Sequence, residues 1–444
     1  MNAHSFSSDI TRREAIRRGL IGATGLALSD QVIAAAPAAR RDPKAKAVIQ
    51  IWLWGGPSHL ETFDPKPEAG SDYCGDLNSP VETNVSGVRI CELLPKLAKH
   101  ADKYALIRSM THGVQAHETA AYITQTGRHP DRNVYPSMGA VVSKFKGYEQ
   151  GYKGLIPPYV VLTRAQGRFS ESGFLGPMHK PFVTGGDPNS GRFVVEGVVA
   201  QGISDQRQRS RRKLLHDLDT LGRALPSDPN FDLLNRCEEK AYDMILGDAG
   251  KIFDLNTEKD EKREEYGRNT FGQSCLMAKR LVESGVPFVT INYNGWDTHK
   301  QHFQIMQRKL AELDAGVSTL LADLAASGLL DSTIVWCSGE FGRTPKIQWN
   351  PPWNGGRGHF GHCFSAMVAG GGFRGGQVIG ASNKTGMEVA ERPVHPRDLI
   401  GTVYSQLGID PDGKLPNPRN LDYKVMPTSQ EGAPEGGGRL KELV

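Results

Sequence analysis

What this chain of 444 residues lacks narrows its class before any motif is considered. It has no run of roughly twenty apolar residues, the length a membrane-crossing helix needs. Its six cysteines contain no C-x-x-C pair, which removes zinc knuckles and thioredoxin-type redox sites. Charge of one sign is scarce as well: 53 basic residues against 49 acidic leave a formal charge of +4. That surplus is too small for the concentrated basic face of a nucleic-acid binder. With 38% hydrophobic residues, 51 Gly and 27 Pro, the chain is neither collagen-like nor a fully disordered polymer.

The N-terminus carries an address. Thr11-Arg12-Arg13-Glu14-Ala15-Ile16-Arg17-Arg18 precedes a mild apolar stretch, Gly19 to Leu28, and small residues follow at Ala34-Ala35-Ala36-Pro37-Ala38-Ala39. These read as the three regions of a bacterial export signal, and the arginine pair as its twin-arginine type. Residues 1–39 are therefore expected to be a removable signal, with the rest delivered to the periplasm or cell envelope without a stable membrane span. Cys74 and Cys91 flank a loop-like stretch and are candidates for a disulfide in that oxidising space. Cys275 and Cys337 fall in apolar segments, where a thiol usually packs.

Residues 40–427 read as a single α/β domain. Ala47 to Trp54 is a β-rich run ending abruptly at Gly55-Gly56-Pro57. Tyr104 to Arg108 and Tyr159 to Thr163 are further short strands. Residues 200–265 form a polar helical insertion, whose charge run at Gln206 to Lys213 is a solvated face. Phe271 to Ser284 has helical spacing and stops at Gly285. Pro287 to Tyr293 follows as a strand, then a long helix carrying Ile305, Leu310, Leu313, Val317, Leu320 and Leu324 on one face, ended by Gly328. Ser332 to Cys337 and Phe364 to Ala369 are strands, and Pro396 to Leu407 a closing helix. Alternation of this kind implies a three-layer sandwich around a mainly parallel sheet. Residues 428–444, rich in Gly and Glu, are expected to be a flexible tail.

Ligands in open α/β sheets bind beyond the carboxyl ends of the strands. The loops there are Gly55 to Asp64, Asn294 to His299, Ser338 to Pro345 and, just before Phe364, Gly355 to His362. Each holds an acid, a histidine or both. Asp297 and His299 are two apart, so an extended loop points both the same way, and His359 completes a three-ligand site. Glu340 is a further ligand or an acceptor that orients a ligating histidine. Arg343 and Arg357 are candidates to grip a phosphate or sulfate. Singly, each residue is as readily a hydrogen-bonded surface group; their convergence on one rim is what points to a metal site.

Taken together, several blocks resemble a known family: Trp54-Gly-Gly-Pro-Ser-His59, Thr62-Phe-Asp64-Pro-Lys66, Thr126-Gly-Arg-His-Pro130, Gly295-Trp-Asp-Thr-His299, Gly339-Glu-Phe-Gly-Arg-Thr-Pro345 and Pro393 to Asp410. They resemble an uncharacterised family of twin-arginine-exported, alkaline-phosphatase-like (sulfatase-like) bacterial proteins, a domain of unknown function. The resemblance implies an alkaline-phosphatase-like fold and a metal-dependent hydrolase of phosphate or sulfate esters. Its substrate would be a small anionic ester or a sulfated or phosphorylated glycan, and its cofactor a divalent zinc, manganese or calcium ion. By the same resemblance Asp297 and His299 are the acid–histidine metal pair and His359 the late histidine ligand. Glu340 stands where the superfamily has an Asp-His pair, but Phe341 follows it. The acid that ends the superfamily's first strand is replaced by Gly55-Gly56, with His59 or Asp64 the nearby substitutes. Nine residues before Thr126, where sulfatases carry a modified nucleophile, lies His117. It is open as a nucleophile, a metal ligand, an acid–base group or a plain hydrogen-bonding residue. These departures support a second reading, a non-catalytic envelope or polysaccharide-binding protein on a degenerate hydrolase fold. A metal-dependent isomerase or mutase is a third. Specificity would come from Asp72 to Asn84 and the middle insertion.

Overall fold

A computed structural model describes residues 43–165, 170–191, 193, 195, 205–218, 235, 238–242, 244, 248–427 and 436–444. The export signal read at residues 1–39 lies outside them. The core of the molecule is one sheet of eight strands. In chain order these are β1 (Ala47–Trp54), β2 (Tyr104–Met110), β3 (Tyr159–Leu162), β4 (Phe182–Val183), β5 (Phe288–Asn294), β6 (Thr333–Ser338), β7 (Phe364–Ala369) and β8 (Val378–Ile379). In space they run β8-β2-β7-β6-β1-β5-β3-β4. β1 lies in the interior, parallel to β5 and β6, and β3 and β4 extend the parallel side. β7 runs antiparallel to both β6 and β2. Its reversal has a functional consequence: the segment before β7 emerges at the rim where the parallel strands end.

The continuous apolar run of β1 is what a strand covered on both faces requires. Ala47, Ile49, Ile51 and Leu53 enter one core, packed with α3 (Thr270–Glu283) and α4 (His302–Ala326). Val48 enters the other, with α2 (Met138–Lys146) and α5 (Pro396–Gln406). The expected three-layer α/β sandwich results. Gln50 breaks the apolar run, and its amide is satisfied on both sides. It donates to Gln125 Oε1 at 3.2 Å and accepts from Thr290 Oγ1 at 3.2 Å. Because Gln125 belongs to α1 (His117–Thr126), this buried pair fastens that helix to the sheet.

The helix limits follow their capping residues. The Asn269 side chain accepts from Gly272 N at the start of α3, and the chain turns away at Gly285, φ +93°. On α4, Leu310, Leu313, Val317, Leu320 and Leu324 are buried as their spacing predicts. Each contributes roughly 1.5–3 kcal/mol relative to exposure.

Two expectations change. Cys74 and Cys91 are free thiols. Cys74 Sγ sits 3.2 Å from Gly70 O, while Cys91 packs in the α3–α4 core, where burial pushes its pKa up to about 12. The far end of the chain, expected to be loose over residues 428–444, docks where it is described. Leu440 and Leu443 are buried against the α5 side, and Leu440 N donates to Thr402 Oγ1 at 2.9 Å. Residues 428–435 lie outside the described set. The charge run at 206–213 falls on a helix, Asp205–Leu218, with mostly exposed side chains. Among the described residues no helix is long and apolar enough to cross a membrane.

Candidate metal centre

Segments flanking five strands meet at one rim. Gly55 follows β1, Asp297 follows β5, Glu340 follows β6, and β2 leads through His112 to His117, the first residue of α1. His359 comes from the reversed side, on a short antiparallel ribbon in which Gly342–Arg343 pairs with His359–Phe360 ahead of β7. Gly55 cannot carry a side chain: its φ is +112°, and an added Cβ would lie 2.2 Å from Asp297 N. Gly56 is closed in the same way, since a Cβ there would fall 2.5 Å from the Phe341 ring. No side chain fits at either glycine, since the Asp297 backbone and the Phe341 ring occupy the space.

Three imidazoles converge on the Asp297 carboxylate. His117 Nε2 lies 3.4 Å from Oδ2, whereas His299 Nε2 and His359 Nε2 lie 3.0 Å and 3.2 Å from Oδ1. The two Nε2 atoms of His299 and His359 are 2.9 Å apart. Ligand atoms about 2.0–2.2 Å from one ion stand roughly 3 Å from each other, so these separations suit a shared cation. One atom each from His117, Asp297 and His359 falls within 4.8 Å of the others, an arrangement able to hold a metal ion. Imidazole donors suit zinc, and the Asp297 carboxylate also suits manganese. Calcium takes six to eight oxygens, so the calcium option loses its basis.

Behind the cluster, the other nitrogens are fixed. His117 Nδ1 lies 2.6 Å from Glu340 Oε1, and His359 Nδ1 lies 2.8 Å from Gln115 O. A carbonyl only accepts, so His359 carries its proton on Nδ1 and turns a lone pair at Nε2 toward Asp297. Glu340 is wholly buried, and both its oxygens accept from Gly55 N, at 2.9 and 3.2 Å. Its own carbonyl is held by His112 Nε2 at 2.7 Å and Thr124 Oγ1 at 3.2 Å. His112 Nδ1 accepts from Val114 N, so Nε2 is its donor.

Charge is distributed unevenly over the cluster. Burial disfavours the charged form of His117, but hydrogen bonds to Asp297 and Glu340 outweigh it and raise the pKa to about 9. Burial also disfavours ionised Asp297, yet the His117 bond and the Arg343 charge hold it well below the usual carboxylate range. His299 and His359 move the other way, chiefly through desolvation, and stay neutral near pH 7.

The structure redistributes several roles assigned from sequence. It brings Asp297, His299 and His359 together and adds His117 to them. Glu340 stands behind His117 as the acceptor that orients it, outside the group able to touch the ion. His59 is elsewhere: it is buried with Nε2 2.9 Å from Gly386 O. Asp64, its companion after the first strand, pairs with Lys66 and Arg108. Arg343, expected to grip an anion, is a strut. Its fully buried fork donates to Gly55 O, Gly56 O, Arg357 O and Asp297 Oδ1. Arg357 likewise donates to Glu61, Tyr73 O, Thr344 O and Pro345 O.

Sequence reasoning missed a second buried layer. Thr298 Oγ1 meets His302 Nδ1 at 2.6 Å, His302 Nε2 meets Glu61 Oε2 at 2.9 Å, and Glu61 Oε1 takes the Arg357 donor. Burial opposes the Glu61 charge, but Arg357 and His302 lower its pKa to about 2. This chain locks the loops after β1 and β5 and the segment before the ribbon. The one available signal was Glu61, which lies in a loop already placed at the rim; His302 opens α4 three residues beyond another such loop.

No curated protein matches the chain by sequence. Several solved structures align with the chain at low identity. The lipoteichoic acid synthase LtaP from Listeria monocytogenes matches at 11% identity and TM-score 0.38, over 83% of this chain and 73% of that one. An alkaline phosphatase superfamily protein from Vibrio parahaemolyticus gives 13% and 0.38, over 83% and 68%. The PsFucS1 sulfatase from Pseudoalteromonas sp. gives 16% and 0.33, over 83% and 68%. A family model matches the sequence directly, from residue 45 to residue 431. On that match the chain belongs to DUF1501, a family of proteins of unknown function.

Proposed function

We propose that this protein is a metal-dependent hydrolase of phosphate or sulfate esters, acting in the cell envelope after export through its arginine-paired N-terminus. One observation carries the reading: three imidazole Nε2 atoms face a single carboxylate at a strand-end rim, with a wholly buried Glu340 behind one of them. The donor set fits a divalent ion, with His117, Asp297 and His359 as its holders and zinc or manganese as the species. Such an ion supplies Lewis acidity toward an ester oxygen and lowers the pKa of water.

The chain's own residues do the rest. Glu340 keeps the His117 ring oriented, so that Nε2 rather than Nδ1 faces the site. Arg343 anchors the Asp297 oxygen shared by His299 and His359 and fixes its angle. His299 Nε2, 3.0 Å from Asp297 Oδ1 and 2.9 Å from the His359 Nε2 lone pair, is the donor to both and holds the carboxylate in place. His117 is engaged at both nitrogens, which favours a holding role over that of nucleophile.

The test is turnover. Aryl and alkyl phosphate and sulfate esters, offered with zinc or manganese, should be hydrolysed in a chelator-sensitive way, and His359→Ala should reduce the rate at least 100-fold. A cation-loaded protein inert toward the whole panel would defeat the hydrolase and leave the envelope-binding alternative.

A further inference from the structure

The ribbon that carries His359 continues into a second feature. Residues 344–358 leave the ribbon as a hairpin, closed where Gln348 N donates to Gly356 O and Gly355 N to Gln348 O, both at 3.0 Å. The hairpin walls a cleft of about 690 Å³, within the ~300–1,000 Å³ of small-ligand pockets. Trp349 and Trp353 line it and are 47% and 38% exposed. Such exposure is unusual for large apolar rings placed together on one surface.

Both rings are held in place. One face of Trp349 stacks on Phe303, with centroids 5.9 Å apart and planes 11° apart, and its remaining surface is open. Trp353 lies 6.2 Å from the His299 ring, centroid to centroid. The hairpin base is seated on the metal loop: Arg357 N donates to Thr298 O at 3.1 Å, and a Cβ on Gly356 would fall 1.8 Å from His299 O. Trp353 thus borders the cleft on one side and the His299 ring on the other. Around the tryptophans the lining is mixed: Asp72, Lys346, Gln348 and Asn350 are polar, while Ile347, Pro351 and Met387 are apolar.

We infer that this cleft is a subsite for the pyranose rings of a glycan, which presents its ester to the adjoining histidine cluster. This rests on the hydrolase reading above and names its substrate class. A sugar ring has an apolar C–H face and an equatorial belt of hydroxyls. Flat indole faces match the first, while carboxylate and amide side chains at the rim match the second as acceptors and donors. An apolar peptide or acyl chain would leave Asp72, Gln348 and Asn350 desolvated without partners, at a cost. Lys346 adds a positive charge suited to a sulfated or phosphorylated ring.

The experiment reads binding apart from catalysis. The full chain, held in chelator, is titrated with cellohexaose and with a chondroitin sulfate hexasaccharide while tryptophan fluorescence and heat are followed. Saturable binding of at least one is expected, weakened tenfold or more by Trp353→Ala and by Trp349→Ala, and largely retained in Trp353→Phe, which keeps a stacking face. Circular dichroism of each variant confirms that it is folded. No binding of either hexasaccharide, or alanine variants that bind as tightly as the parent, would overturn the subsite. The two readings fail separately: binding in chelator with no metal uptake by the parent sinks the hydrolase alone, whereas metal-dependent ester turnover without glycan binding sinks the cleft alone.

Discussion

At the scale of single residues, the histidine cluster depends on groups that stand behind it. Glu340 is the clearest case, a carboxylate without solvent contact, saturated by Gly55 N on one side and His117 Nδ1 on the other. Glu340→Gln preserves shape and removes charge. The His117 pKa, held at about 9 against burial partly by this charge, should therefore fall toward the ordinary histidine value, as followed by imidazole NMR on metal-free protein. Loss of such an orienting acceptor typically costs about 10–100-fold in metal affinity, which chelator competition would measure. An unchanged titration midpoint would show that Glu340 does not govern His117. The same scale explains the glycines: at Gly55 the chain trades an acidic side chain for contact with the Asp297 backbone.

Among elements, α4 does more than fill the core. Its buried Asp314 reaches across to the short Pro95–Ala98 helix, where its oxygens accept from Leu97 N at 2.7 Å and Lys96 N at 3.0 Å. Such a contact satisfies helix-start donors otherwise without partners. Asp314→Ala is expected to lower unfolding free energy by about 1–3 kcal/mol, seen as a lower denaturant midpoint with an unchanged slope, and Asp314→Asn by less. Equal stability of the alanine variant would contradict this capping role.

The elements also show where sequence is readable. β1 and β6 announce themselves as largely apolar runs, broken in β1 by Gln50, because burial on both faces forces that composition. The α4 stripe follows from helical period. The antiparallel direction of β7 has no comparable signature, since strand direction is set by partners far away in sequence. Asp297 and His299 were legible as neighbours in one loop, and His359 as a histidine before a strand. Joining His117 to them required a count within a family motif, because its loop begins at β2, across the sheet. The Glu61–His302 contact spans 241 positions and was invisible for the same reason. Arg343 and Arg357 looked like anion grips because sequence shows their charge but not the carbonyls that take their donors.

For the whole molecule, the described residues from 43 onward form one compact unit, and the rim is a meeting of segments drawn from residues 55 to 359. No single loop would hold three imidazoles around a carboxylate; the sheet does so by ending its strands together and reversing β7. The cleft beside the cluster uses the same hairpin, so metal centre and tryptophan platform share one scaffold. What gives this assembly meaning is the claim that His117, Asp297 and His359 hold a divalent ion. Elemental analysis of the full chain, purified without chelator and then exposed to zinc or manganese, tests it directly. The account predicts about one bound ion per chain, lost in Asp297→Ala and in His117→Ala. A chain that takes up no divalent ion, or keeps it undiminished in both variants, would contradict it.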